Sequence, residues 1–139
     1  MKKLELVDDH YCFVCGMENV EGLRLKWTVE GLSTTSEFVP DRKYQGWQGI
    51  LHGGIIATLL DEAMTRLSCI ISGGSLTAEM TVRFVAPAYI GKRLLIRGEV
   101  VNQRRKILEM KAFIHSETGV LIAYSTGKAV KIGTLLSSC

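Results

Sequence analysis

Between Gly53 and about Ile71 the apolar residues Ile55, Ile56, Leu59, Leu60, Ala63, Met64 and Leu67 recur at spacings of three and four. That period belongs to an α-helix buried along much of its circumference. No other stretch of the 139 residues sustains it. The segments around it alternate between apolar and polar residues or read as turns. "GLRLKWTVEG" and "LSTTSEFVP" suit two strands joined near Gly31, with Leu23, Leu25 and Trp27 on one face of the first. After the helix, "SLTAEMTVRFVAP" places Leu76, Ala78, Met80, Val82 and Phe84 on one face and Thr77, Glu79, Thr81 and Arg83 on the other. "KRLLIRGEVVN", "KILEMKAFIHS" and "GVLIAYSTGKAV" follow as strands joined by short turns, which implies antiparallel pairing. The expectation is an α+β fold, one long helix against a sheet of five or six strands, whose other face is left to water or to a second chain.

A chain of this length forms one domain. Residues 1–21 have weak periodicity and are expected to form an arm laid over a single domain at 22–139, with the polar tail "GTLLSSC" frayed or docked loosely. The apolar run "GGIIATLL" is under half the roughly 18 residues of a membrane span, and acidic residues occupy the N-terminal stretch where a signal peptide would be apolar. A cytoplasmic location is the resulting expectation. The net charge of +3, from 17 Lys and Arg against 14 Asp and Glu, is too mild for a nucleic-acid binder and does not oppose an anionic substrate. Its densest cluster, Arg104, Arg105 and Lys106, falls at a hairpin turn, as a solvated tip or a phosphate contact.

Two features of the helix are unusual. Its entrance, "LHGG", brings Gly53 and Gly54 to a first turn whose amide N–H groups lack internal partners and carry the positive end of the helix dipole. Such donors can stabilise a carbonyl oxygen becoming an oxyanion, although glycines there also serve tight turns or close packing. The second feature is Asp61, a carboxylate in the middle of the buried run. Carboxylates are seldom buried without a partner or a task. The structural alternatives are an ion pair with Arg66 or Arg83, or a hydrogen bond with Thr58 or Thr65. The functional one is a nucleophile or a base that activates water. Glu62 projects about 100° away and is assigned the plainer role, beside Arg66 on the next turn.

Gly53 and Asp61 are eight positions apart, about 12 Å along one helix. Both cannot serve one carbonyl, since each must lie about 3 Å from the reacting atoms. Two copies packed with antiparallel helices would bring Gly53 of one beside Asp61 of the other. A homodimer with two shared sites is therefore expected, with two dimers able to join further through exposed sheets.

The stretch "ILHGGIIATLLDEA" closely resembles the helix signature of hotdog-fold acyl-CoA thioesterases related to the phenylacetate-pathway enzymes, and "CFVCGMENVEGLRLKW" resembles the N-terminal block of one of their subgroups. The resemblance covers about residues 15–132 and implies the hotdog fold, a central helix wrapped by an antiparallel sheet. It implies that the Gly53 amide polarises the thioester carbonyl, that Asp61 attacks it or activates water, that His52 orients the thioester and the loop, and that Thr77 assists the carboxylate. Some relatives carry Asn or Gln seven positions before the polarising glycine, where this chain has Gly46; Gln45 or Gln48 would take over. The implied reaction yields a carboxylic acid and free coenzyme A without metal or redox cofactor. Arg83, Arg104, Arg105 or Lys106 would meet the nucleotide phosphates. A hotdog hydratase or dehydratase, or an acyl-CoA sensor without turnover, are the competing readings.

Trp27, Trp47, Phe13, Tyr44 and Phe84 suit the core or an interface better than an acyl pocket; of them Trp47, in the loop leading to the helix, is the pocket candidate. His10, Cys12 and Cys15 have spacings that could begin a zinc site, but no second pair follows, and His52 would be drawn from its other role. Packing of the arm, or a redox pair, is the preferred reading, and no metal is expected.

Overall fold

The helical period is realised as α1, Gly53–Ser72, in a computed structural model that describes residues 4–131 and 133–136. The helix begins after His52, whose backbone is extended, and stops at Gly73, whose φ of 69° places it in the left-handed region that glycine enters without strain. No helix among the described residues is long and apolar enough to cross a membrane.

Six strands form one antiparallel sheet in the spatial order β2, β3, β5, β6, β7, β4. They are β2 (Thr28–Glu30), β3 (Ser33–Phe38), β4 (Leu76–Phe84), β5 (Leu94–Gln103), β6 (Ile107–Ser116) and β7 (Leu121–Val130). Two short strands, β1 (Leu4–Leu6) and β8 (Gly133–Leu135), pair in parallel, so the N-terminal arm meets the described part of the tail. The rest of that tail, residues 137–139, lies outside the described residues. One helix on an antiparallel sheet is the expected hotdog architecture.

Leu59, Leu60, Ala63, Met64 and Leu67 of α1 are buried against Ile96 of β5, Leu108, Met110, Ala112 and Ile114 of β6, and Ala123 and Ala129 of β7. The helix lies so close to β5 that a Cβ on Gly98 would fall 2.0 Å from the Ala63 carbonyl oxygen. That obstacle is helix backbone and cannot turn aside. Gly98→Ala should therefore cost about 3 kcal/mol or more, at the upper end of overpacking effects, read as a fall in the urea midpoint at unchanged slope.

Two expectations need correction. The segment from Gly22 is ladder only from Thr28 onward, because Leu23 and Leu25 donate their N–H groups to Phe13 O and Val14 O of the arm. Arg24, at φ 52°, also interrupts the extended run. In β4 the face assignment fails at its start. A bulge between Thr77 and Glu79 sets Thr77 opposite Ala129 and Met80 opposite Gly127, so the extra residue brings Thr77 onto the face of Met80 and Val82, towards the helix. Glu79 faces outward and meets Lys128 at 3.7 Å.

Candidate active site

The loop before α1 is held by its own polar groups. Gln45 Oε1 accepts from Gly49 N–H at 3.0 Å, and His52 N–H donates to Tyr44 O at 2.9 Å. Gln45 is thus occupied in shaping the loop, while Gln48 is exposed and Trp47, 85% exposed, stands out into solvent.

His52 is the N-cap of α1. Its Nδ1 accepts from Gly54 N–H at 2.8 Å, and its carbonyl accepts from Ile55 and Ile56 at 3.0 and 3.3 Å. Among the first-turn donors this leaves Gly53 N–H, which has no acceptor among the described residues. Phe84 of β4 lies against it, close enough that a Cβ on Gly53 would be 3.4 Å from Cε1. His52 therefore organises the entrance through the helix terminus itself. Truncation by His52→Ala should cost about 1 kcal/mol through the lost cap, and His52→Asn should restore most of it in thermal unfolding.

Asp61 is half-buried on α1. Its Oδ1 accepts from Thr77 Oγ1 at 2.7 Å, a contact that the β4 bulge makes possible. The structural alternatives do not occur. Thr58 and Thr65 donate their hydroxyls to the main-chain carbonyls of Gly54 and Asp61, Arg66 Nη1 donates to Cys15 Sγ at 3.7 Å, and Arg83 is on the outward face of β4 opposite Tyr124. Asp61 Oδ2 is thus left for other chemistry. Helix rise keeps it about 12 Å from the Gly53 amide of its own chain.

The basic residues do not gather in one chain. Arg104, Arg105 and Lys106 form the turn between β5 and β6, at the end of the sheet where Leu76 pairs with Val130. Arg83 pairs six residues further along β7, roughly 20 Å away, and Arg104 lies 3.9 Å from Glu109. A cleft of about 870 Å³ bordered by Arg24, Thr35, Arg97 and His115 includes neither Gly53 nor Asp61.

Glu62 has neighbours that sequence reasoning missed. Arg66, on the next turn, acts on its carboxylate as expected, but that carboxylate also turns to Cys12 and Cys15, and one ligand atom from each of the three lies within 4.8 Å of the others. Burial raises the Glu62 carboxyl above its ordinary range, and burial together with the adjacent Glu62 charge raises the Cys15 thiol. His10 and His52 do not join the group. The paired cysteines of the loop were the available signal, but their partner is 47 positions further on.

Residues 48–123 match the family model described as the thioesterase superfamily. Over 78 residues the chain is 32% identical to mouse acyl-coenzyme A thioesterase 13, a match covering 54% of this chain and 56% of that one, so it spans little more than half of that relative. In fold it is similar to a hypothetical thioesterase from Streptococcus pneumoniae solved with coenzyme A, with TM-score 0.73 at 18% identity over 76% of this chain and 84% of the other. It is likewise similar to the E. coli PaaI protein of the phenylacetic acid degradation operon, with TM-score 0.73 at 16% identity over 78% and 83%.

Proposed function

The chain belongs to the thioesterase superfamily, and from that membership we propose that it hydrolyses acyl-coenzyme A to a carboxylic acid and free coenzyme A in sites shared by two copies of itself. The observation that carries this reading is the pairing of an unclaimed donor, Gly53 N–H, with a carboxylate oriented by a neighbour, Asp61 held by Thr77. In the reaction, the thioester carbonyl oxygen accepts from Gly53 N–H. Asp61 of the partner subunit takes a proton from water as it adds to the carbonyl carbon, or adds directly through its own oxygen. The C–O bond forms, the C–S bond breaks, and the thiolate of coenzyme A leaves and is protonated; where Asp61 itself adds, the resulting mixed anhydride is then cleaved by water, releasing the acid and restoring the carboxylate. Negative charge builds on the carbonyl oxygen during the addition, where a fixed amide dipole stabilises it without reorganisation.

The homodimer is supported by the edge of the sheet. β4 is the longer of the two edge strands, nine residues long, with Leu76 42% and Phe84 58% exposed. A long apolar edge invites pairing. Antiparallel pairing of β4 with its copy about Met80 would set the Phe84 end, beside Gly53, against the Thr77 end of the other chain, beside Asp61. Further support comes from the pneumococcal relative, whose structure was also determined with an Asp or a Thr, sixteen positions apart, replaced by Ala. Asp61 and Thr77 have that same separation.

The test is thiol release from a panel of short, long and aryl acyl-CoA esters by purified protein. Hydrolysis of at least one, with no change in the acyl double bonds, is expected; binding without turnover would point to a sensor instead. On the best substrate Thr77→Val should lower kcat by about 10- to 100-fold, the worth of a hydrogen bond to a charged group. Thr77→Ser should recover most of it, because Thr77 positions Asp61 and does not react.

A further inference from the structure

The loop that carries the paired cysteines is built tightly. Gly16 N–H donates to Cys12 O at 2.9 Å, and Val14 N–H points at Cys12 Sγ at 3.4 Å. A Cβ on Gly16 would fall 2.3 Å from Cys12 N, and one on Gly22 2.5 Å from Phe13 O, so the loop closes only with glycine at both positions. Leu23 and Leu25 then tie it down through Phe13 O and Val14 O. The result holds Cys12 and Cys15, both unbridged, over the face of α1 that presents Glu62.

We infer that Cys12, Cys15 and Glu62 form a binding site for a thiophilic divalent cation, Zn²⁺, that fastens the N-terminal loop to α1. The three ligand atoms already lie within 4.8 Å of one another, where tetrahedral zinc with bonds of about 2.0 to 2.3 Å asks for about 3.5 to 3.8 Å, so the gap to close is about 1 Å. Two sulfurs and a carboxylate oxygen are a donor set that zinc accepts. Charge also balances. Two thiolates and one carboxylate on a dication leave one negative charge, and the Arg66 guanidinium stands 3.7 Å from Cys15 Sγ to offset it. An amide aimed at Cys12 Sγ stabilises a thiolate in the same way. A cleft of about 270 Å³ bordered by Asp8, Cys12, Cys15, Glu62 and Arg66 opens onto the cluster, giving the ion an approach and leaving space for water as fourth ligand. The site shares no residue with the proposed hydrolysis: Glu62 follows Asp61 in sequence but projects to another face of the helix.

The experiment uses the full chain, reduced and freed of metal, titrated with Zn²⁺ and in parallel with Co²⁺. One equivalent of either should bind, the cobalt form should show thiolate-to-metal charge transfer and the strong d–d bands of tetrahedral coordination, and Zn²⁺ should raise Tm. Cys12→Ser and Cys15→Ser should abolish the charge-transfer band, and Glu62→Gln should weaken Zn²⁺ binding by about tenfold or more. Reduced wild-type protein that takes up neither metal, a Cys12→Ser protein that binds as the wild type does, or a Cys12–Cys15 disulfide as the resting state in freshly prepared protein would each overturn the proposal. If the serine variants do not fold, the cobalt spectrum and the Zn²⁺ effect on Tm of the wild type decide it.

Discussion

Asp61→Asn should lower kcat/KM for the best acyl-CoA substrate by about 10²- to 10⁴-fold, the usual contribution of a positioned base, while leaving the urea midpoint nearly unchanged. The two halves of this expectation have separate causes. Asn keeps the size of the side chain, and its carbonyl oxygen can still accept from Thr77 Oγ1, now 2.7 Å from Asp61 Oδ1, so local packing survives. Asp61 is only half-buried and is held by no ion pair with Arg66 or Arg83, so no buried partner is orphaned by the change. What is lost is the second oxygen and its charge, the feature that can take a proton from water or attack a thioester. Near-normal turnover by the variant would remove the catalytic assignment. A collapse of stability alongside activity would instead mean that Asp61 holds the helix in place.

The helix was legible almost to the residue, Gly53 to about Ile71 against the observed Gly53–Ser72, because buried spacing at the helical period is a local signal. The long hairpin strands followed for the same reason. Failures occurred where apolar alternation reports burial without naming the partner. Leu25 is buried, yet its amide bonds to the arm and not to the sheet. Period-two reading also assigned Thr77 to the outer face, since one inserted residue is invisible until the register with β7 is known. Without that bulge, Thr77 would point away from Asp61. The resemblance to a family led to the right neighbour where the periodicity of the strand did not. Glu62 eluded both, because its position on the helix says nothing about an arm that returns from 47 residues earlier.

Gly53→Pro should cost about 10²- to 10³-fold in kcat, the measured scale for losing one oxyanion donor in other enzymes, and it is an unusually clean substitution. Proline removes the N–H and little else at the first position of a helix, where its ring angle is already suited. The preceding residue must then avoid the helical region, and His52 already sits at φ −62°, ψ 134°. Of the three ring carbons that proline adds, the Cβ would face Phe84 Cε1 at ordinary contact distance, 3.4 Å. Since Gly53 N–H bonds to nothing within the described residues, stability should scarcely move. The two inactive variants, Gly53→Pro and Asp61→Asn, then test the geometry together. If each site takes its amide from one chain and its carboxylate from the other, refolding the variants as a mixture creates dimers in which one of two sites has both groups intact. About a quarter of wild-type activity should return, because half of the dimers are mixed and each mixed dimer has one sound site. If both groups served a site within a single chain, every site would carry a lesion and mixing would restore nothing.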